Sequence, residues 1–334
     1  MRRVAIIGGG SWGTALGIMA GRAGHQVRLW SRNREVVGSI NLRRENEIYL
    51  ASHQIPENVV ATGELTEALQ AAELVILASP SHAMRQLLGR MLPDLKPEMI
   101  FVSASKGIEN ETGKRISEVV AEEIGSRFPP HFVCLSGPSF AKEVAAGHPT
   151  AIVAASVNEN DSSIVQRELS FGNLRIYRSP DVVGTEFGGS VKNVMAIAAG
   201  MVVGLGFGSN SVAALITRGL AEVARFATTQ GAKMETLMGL AGLGDLVLTC
   251  TGSLSRNRFV GQELGRGRAL AEILADMREV AEGVRTTRAV KQLSDRLGIE
   301  MPVTNEVNSV LYEGKSAANA ARELMARPLR GEFG

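Results

Sequence analysis

A glycine-rich turn near the start of the sequence has the residue types and spacing that bind a dinucleotide. The apolar run Val4–Ile7 leads directly into Gly8-Gly-Gly-Ser-Trp-Gly13, which contains the pattern Gly-x-Gly-x-x-Gly. In such a turn Gly8 permits the sharp bend from strand to helix, Gly10 lets the backbone approach a pyrophosphate, and Gly13 lets the helix pack on the strand. The N-terminus of the helix then faces the negative charge of the nucleotide.

The polar turn after the second predicted strand indicates which dinucleotide is bound. Gln26–Trp30 is predicted to be that strand, and Ser31-Arg-Asn-Arg34 follows where an acidic residue would grip the ribose 2′-hydroxyl of NAD. Because the guanidinium of Arg32 can pair bidentately with a ribose 2′-phosphate, the sequence favours NADP over NAD. The alternative interpretation is a solvated arginine in a polar turn.

Lys192 is the candidate for acid–base chemistry in the second half. No carboxylate lies three or four positions away from it, where a helical partner would be. If such an unpaired lysine is buried away from water, its pKa is lowered toward the range of a general acid. The alternative is a snorkelling lysine with its ammonium group in water. Asp245, between a glycine-rich turn and an apolar run, is either the partner that orients Lys192 or a helix N-cap.

Two more segments carry residues that suit an anionic ligand. Ser253-Leu-Ser-Arg-Asn-Arg258 combines capping residues, a helix start and arginines, which predicts a phosphate or carboxylate site. An exposed basic helix terminus is the equally open alternative. Lys106 directly follows a predicted strand, which puts it on the edge of the sheet where ligands bind in α/β folds. Surface lysines are also common at that edge.

The elements that position these residues divide the chain into two parts. In the first part short apolar runs alternate with helical patterns, which predicts the α/β class with a Rossmann-like, doubly wound and largely parallel sheet. The predicted strands are Val4–Ile7, Gln26–Trp30, Leu74–Ala78, Ile100–Ser103, Phe132–Leu135 and Ala151–Ala154. From about Ser179 helical patterns dominate, which predicts an all-α C-terminal domain. We therefore expect an NAD(P)-binding domain over 1–180 and an α-helical substrate-binding and catalytic domain over 181–334.

Composition excludes several classes of function. The chain of 334 residues carries 36 basic and 34 acidic residues, without a basic block that would bind nucleic acid. Its two cysteines and five histidines show no metal-ligand spacing, so we expect no metal, and a reducing cytoplasm fits best. The apolar N-terminal run is too short for the core of a signal peptide. The long uncharged interval after Lys192 contains glycines and polar residues, which favours a buried helix over a membrane span.

Seven motifs in order along the chain resemble one enzyme family. They are Gly8-Gly-Gly-Ser-Trp-Gly-Thr-Ala-Leu16, Ser105-Lys-Gly107, Ser136-Gly-Pro-Ser-Phe-Ala-Lys-Glu143, Gly189-Ser-Val-Lys-Asn193, Ile216-Thr-Arg-Gly-Leu-Ala-Glu222, Gly242-Leu-Gly-Asp-Leu246 and Ser255-Arg-Asn257. With them the sequence resembles the bacterial-type NAD(P)-dependent glycerol-3-phosphate dehydrogenases over nearly its whole length.

The resemblance implies a reaction and a set of contacts. The reaction is the reversible reduction of dihydroxyacetone phosphate to sn-glycerol 3-phosphate, with NADPH preferred and NADH a second donor, and it supplies phospholipid synthesis in the cytoplasm. Lys192 is implied as the acid–base residue, with Asp245 and Lys106 beside it. Implied cofactor contacts are Ser11, Trp12, Arg32, Tyr49, Lys106, Ala141, Arg256, Val280 and Glu282. Implied substrate contacts are Lys106, Gly137, Ser139, Lys192, Asp245, Ser255, Arg256 and Asn257.

Three matters stay open in the sequence. A dehydrogenase of β-hydroxyacids on the same two-domain plan would also use a helical Lys-Asn pair, but its anion site would receive a carboxylate. A non-catalytic NADPH-binding sensor would keep the fold without needing the lysine, aspartate and arginine together. The subunit count is not determined, and a homodimer is compatible with the sequence.

Overall fold

The computed structural model describes residues 1–277, 281–329 and 331–332. Its first half contains one sheet of eight strands in the order β3-β2-β1-β4-β5-β6-β7-β8, with only the β6–β7 pair antiparallel. The strands are β1 (Arg3–Ile7), β2 (Gln26–Trp30), β3 (Val59–Thr62), β4 (Leu74–Leu77), β5 (Ile100–Ser103), β6 (His131–Ser136), β7 (Thr150–Ala155) and β8 (Leu174–Ser179).

Helices cover both faces of this sheet, which explains why its central strands are continuous apolar runs. They are α1 (Ser11–Arg22), α2 (Arg34–Arg43), α3 (Leu65–Leu69), α4 (Met84–Met91), α5 (Ile116–Gly125), α6 (Ala141–Ala146) and α7 (Glu159–Leu169). One apolar core lies on each face. The chain order reverses between β1 and β4, and in doubly wound folds ligands bind at that point, beyond the carboxyl ends of the strands.

The predicted α/β class and the six predicted strands are confirmed, and two strands were not predicted. β8 alternates buried and exposed residues because it lies at the edge of the sheet, so it has no continuous apolar run. β3 is a strand of four residues at the opposite edge, too short to give a pattern. The predicted loss of strands after about Ser179 agrees with the end of β8 at that residue.

The second half is helical throughout its described residues. Its helices are α8 (Val182–Gly204), α9 (Ser209–Thr229), α10 (Met234–Leu237), α11 (Asp245–Thr251), α12 (Arg256–Gly265), α13 (Leu270–Ala275), α14 (Glu282–Leu297), α15 (Pro302–Tyr312) and α16 (Ala317–Met325). A π-helical turn at Leu240–Gly244 leads into α11. They share a third core, which also encloses Ile108 from the loop that follows β5.

Helix α8 is the centre of this half and lies very close to α12. A Cβ atom on Gly200 would lie 2.1 Å from the carbonyl oxygen of Arg258, and one on Gly261 would lie 1.9 Å from that of Ile197. Only glycine permits this contact, which brings the residue after Lys192 next to the start of α12.

By length and composition α8 could cross a membrane, and so could α10–α11 with α12 as a pair bent by 48°. However, 83% of the apolar window of α8 is buried inside the protein, as in a core helix.

Candidate active site

The glycine turn has the geometry that its spacing predicts. Gly8 has a φ of +135°, and a Cβ atom there would lie 2.6 Å from the carbonyl oxygen of Ala78. A Cβ atom on Gly13 would lie 1.9 Å from the carbonyl oxygen of Gly8, so α1 packs directly on the turn. At Gly10, by contrast, no described atom lies within 4 Å of an added Cβ. The backbone of Gly10 therefore faces open space at the N-terminus of α1, which fits a pyrophosphate.

Several residues predicted to contact the cofactor surround this turn. The Ser11 hydroxyl donates a hydrogen bond to the carbonyl oxygen of Tyr49 at 2.7 Å. Trp12 and Ala141, which is the first residue of α6, pack half-buried against the core that supports the turn. Arg32 is exposed in the bend after β2. Val280 lies outside the described residues.

Lys192 and Asp245 form a buried ion pair. Nζ of Lys192 donates to Oδ1 of Asp245 at 2.6 Å and to the hydroxyl of Thr249 at 2.7 Å. Lys192 is only 6% exposed and Asp245 only 1%, so the ammonium group does not lie in bulk water. The snorkelling interpretation of Lys192 is therefore wrong. Gly244 holds the N-cap position of α11, and the carboxylate of Asp245 binds lysine instead of capping the helix.

Burial is the main influence on the protonation of Lys192. Burial lowers the pKa of Lys192, because the charged form loses its hydration, and the nearby charge of Lys106 also lowers it, so that the net pKa is about 8. Asp245 opposes both effects by stabilising the ammonium form. This pKa lies close to neutral pH. A general acid is most effective when its pKa is near the pH at which the enzyme works.

Lys106 joins the same carboxylate from the first half of the chain. Its Nζ donates to Oδ2 of Asp245 at 2.9 Å, to the carbonyl oxygen of Gly137 at 2.8 Å and to the hydroxyl of Ser139 at 3.2 Å. This arrangement needs α8 to lie close to the sheet, and a Cβ atom on Gly189 would lie 2.5 Å from Oγ of Ser136. The structure thus brings Lys106, Gly137 and Ser139 to the buried ion pair.

Two asparagines connect this centre to the predicted anion site. Nδ2 of Asn193 donates to the carbonyl oxygen of Lys106 at 3.3 Å, and Oδ1 of Asn193 accepts from Nδ2 of Asn257 at 2.9 Å. Oδ1 of Asn257 then accepts from the backbone N–H of Gly283 at 2.9 Å. The loop after β5 and helices α8, α12 and α14 are therefore held together by side-chain amides.

The start of α12 combines a capping serine with an exposed arginine. Oγ of Ser255 accepts from the backbone N–H of Arg258 at 3.2 Å, and Arg256 is the first residue of the helix. The positive charge of Arg256 also influences the protonation of Glu282, the first residue of α14. Burial raises the pKa of Glu282, while the positive charge of Arg256 opposes that rise. Positive charge and a helix N-terminus at one place suit a phosphate or a carboxylate.

Sequence reasoning missed the role of Thr249, although a signal was present. It lies four positions after Asp245 on α11, which puts both side chains on one face of the helix. It also missed Asn46, whose side chain donates to the carbonyl oxygen of Gly9 in the glycine turn. Among the residues that the structure describes, no group of three or more histidine, cysteine, aspartate or glutamate side chains could hold a metal ion.

Comparison with known proteins identifies the family. The model described as the N-terminus of NAD-dependent glycerol-3-phosphate dehydrogenase matches residues 3–162, and the model of the C-terminus matches residues 181–322. The chain belongs to the NAD-dependent glycerol-3-phosphate dehydrogenase family. It is therefore an oxidoreductase that uses NAD(P), and the resemblance drawn from the motifs is confirmed.

Individual relatives match nearly the whole chain. The glycerol-3-phosphate dehydrogenase [NAD(P)+] of Koribacter versatilis is 55% identical over 330 residues, which are 98% of each chain. That of Citrifermentans bemidjiense is 48% identical over 99% of this chain and 98% of its own. The crystal structure of glycerol-3-phosphate dehydrogenase from Coxiella burnetii matches with a TM-score of 0.93 and 39% identity, over 98% of this chain and 99% of its own. The family resemblance therefore extends to both halves of the fold.

Proposed function

We propose that this dehydrogenase catalyses the reversible reduction of dihydroxyacetone phosphate to sn-glycerol 3-phosphate, with NADPH as the preferred hydride donor. The observation that carries the proposal is the buried Lys192, whose ammonium group Asp245 holds at 2.6 Å in a network that reaches the start of α12. Such a centre can protonate a ketone oxygen while a neighbouring cationic helix terminus binds a phosphate. Membership of the family supports the same reaction.

The cofactor site in this proposal is built on the glycine turn. Gly8, Gly10 and Gly13 shape the pyrophosphate site, and the open space at Gly10 fits that group. When bound, the reduced nicotinamide supplies the hydride. Arg32, exposed after β2, is proposed to bind the 2′-phosphate, which makes NADPH the preferred donor and NADH the weaker one. The other proposed contacts are Ser11, Trp12, Tyr49, Lys106, Ala141, Arg256, Val280 and Glu282.

The chemical step depends on charge at the ketone. As hydride reaches C2 of the substrate, negative charge grows on the carbonyl oxygen, and Lys192 donates a proton to it from its ammonium group. Asp245 orients that ammonium group. Lys106 adds positive potential beside it. The alkoxide thus becomes the alcohol, and Lys192 recovers its proton from solvent; the oxidation of glycerol 3-phosphate runs through the same groups in reverse.

The substrate phosphate is proposed to bind at the start of α12. Ser255, Arg256 and Asn257 form its site, with Gly137 and Ser139 contacting the substrate from the first half of the chain. Binding of the phosphate holds the ketone in reactive geometry. In well-oriented reactions such positioning lowers the activation free energy by on the order of 7 kcal/mol or more.

The test is NADPH oxidation followed by absorbance with a panel of substrates. We expect turnover with dihydroxyacetone phosphate and very little with dihydroxyacetone, which lacks the phosphate. Turnover of a β-ketoacid in preference to the phosphate ester would instead indicate a β-hydroxyacid dehydrogenase. Binding of NADPH without turnover of any of them would indicate a sensor.

The setting of the enzyme follows from the same proposal. We propose a nucleotide-binding domain over 1–180, a substrate-binding and catalytic domain over 181–334, and a role in supplying glycerol 3-phosphate for phospholipid synthesis. A cytoplasmic location is supported by the burial of both cysteines, Cys134 and Cys250, as free thiols.

Exposed apolar side chains on the helical half, Phe207 and Phe259 among them, support a homodimer, which sedimentation over a range of concentrations would test.

A further inference from the structure

The side chain of Asn46 bridges three segments beneath the glycine turn and is completely buried. Its Nδ2 donates to the carbonyl oxygen of Gly9 at 3.0 Å and to the hydroxyl of Thr14 at 2.8 Å. Its Oδ1 accepts from the backbone N–H of Tyr49 at 3.2 Å. Both amide hydrogens and the amide oxygen are therefore used, so replacement of this side chain would leave buried polar groups without partners.

The hydrogen bond from Asn46 to Gly9 orients the peptide group between Gly9 and Gly10, which lies at the proposed pyrophosphate site. The carbonyl of Gly9 and the N–H of Gly10 belong to one planar trans peptide, in which they point in opposite directions. Because Asn46 holds the carbonyl toward the protein interior, the N–H of Gly10 is turned the other way. A Cβ atom added to Gly10 would meet no described atom within 4 Å beyond its chain neighbours, so this residue borders open space at the turn.

Asn46 also fixes the segment that carries Tyr49. The N–H of Tyr49 donates to Asn46, and the carbonyl oxygen of Tyr49 accepts from the hydroxyl of Ser11. The backbone N–H of Leu50 closes the turn by donating to the carbonyl oxygen of Asn46 at 2.9 Å. The glycine turn and the Tyr49 segment are thus held together by the buried amide of Asn46 and by the hydrogen bond from Ser11 to Tyr49.

We infer that Asn46 is a positioning residue for cofactor binding, which aims the Gly9–Gly10 peptide at the pyrophosphate and sets the place of Tyr49 beside it. The inference rests on the proposed function, since it requires the cofactor to bind at the glycine turn. Asn46 acts through the backbone, so it affects the part of the cofactor that NADPH and NADH share.

The test measures cofactor dissociation constants by calorimetry for the wild-type protein and for Asn46→Ala. We expect Kd to rise about tenfold, and by a similar factor for NADPH and NADH, because the three buried hydrogen bonds that hold the turn at the shared pyrophosphate site are lost. KM for dihydroxyacetone phosphate should change less than about twofold. An unchanged Kd for both cofactors would overturn the inference, whereas a wild-type protein that binds neither cofactor would overturn the proposed function.

Asn58, in the turn just before β3, provides a matched control at the other end of α1. Its Nδ2 donates to the carbonyl oxygens of Gly21 and His25, both at 2.8 Å, so it is also an asparagine that bridges backbone groups, but at the far end of α1. Asn58→Ala should lower the melting temperature and leave Kd for both cofactors as in the wild type. An equal loss of affinity in the two variants would reduce Asn46 to a general structural role.

Asn46→Asp keeps the shape of the side chain and makes cofactor affinity depend on pH. This variant provides a second test if the alanine variant does not fold. An ionised carboxylate cannot donate to the Gly9 carbonyl and repels it, whereas a protonated one restores a single donor. The affinity of this variant for NADP+ should therefore recover in part as the pH falls from about 8 to about 5.5, relative to the wild type at each pH. A ratio of affinities that stays constant with pH would contradict the bond to Gly9.

Discussion

Nζ of Lys106 lies 2.9 Å from Oδ2 of Asp245, although the two residues are 139 positions apart in the chain. The other oxygen of the same carboxylate accepts from Lys192. One buried carboxylate thus holds two ammonium groups, of which one comes from the loop after β5 and the other from α8. The two positive charges lie together, where a developing oxyanion would be stabilised.

Replacement of Lys192 by alanine should lower kcat by about a hundred- to ten-thousand-fold, because the proton donor is lost. Calorimetry should find NADPH binding close to the wild-type value, since Lys192 is not among the proposed cofactor contacts. Lys291→Ala, which removes a lysine of an ion pair on α14, serves as the control and should leave kcat unchanged. Near-normal turnover of the Lys192 variant would eliminate its proposed role.

The pH dependence of the two directions should be opposite. Reduction needs the protonated form of Lys192, so kcat/KM for dihydroxyacetone phosphate should fall as the pH rises through about 8. Oxidation of glycerol 3-phosphate needs the neutral amine, so its rate should rise through the same value. Initial rates over the pH range would check this, and two profiles with the same direction would rule out a single acid–base group.

Replacement of Arg256 by alanine should weaken substrate binding more than it slows the chemistry. We expect KM for dihydroxyacetone phosphate to rise by about one to two powers of ten, as for the loss of a charge-assisted hydrogen bond worth about 1.5–3 kcal/mol. A smaller loss of cofactor affinity is expected as well. Arg266→Ala, just beyond the other end of α12 and paired with Glu263, is the matched control. Equal KM values for the two variants would place the phosphate elsewhere.

The choice of cofactor should depend on Arg32. In Arg32→Asp the preference should move from NADPH toward NADH, because an acidic residue repels the 2′-phosphate and can accept hydrogen bonds from a ribose hydroxyl. The ratio of kcat/KM for the two cofactors measures this shift. The same substitution at Arg34, also exposed and two positions further on, should change the ratio less. A shift in the Arg34 variant alone would transfer the role to that residue.

Much of the fold was predictable because it depends on local patterns. The spacing of Gly8, Gly10 and Gly13 specifies a strand-to-helix turn whatever the rest of the chain does, and apolar runs between helices specify a parallel sheet. Edge strands such as β8 were harder to predict, because one face is in water and the apolar run is broken.

By itself, the sequence determined the fold class, the glycine turn, the family motifs and the residue types at the candidate site. Only the tertiary structure decided that Lys106 and Lys192 share Asp245, that Thr249 joins them, and that Asn46 supports the turn. Each of these contacts joins segments that are distant in the chain. Whether they meet depends on how α8 packs against the sheet and α12, and that packing is fixed by close glycine contacts between elements rather than by any local pattern.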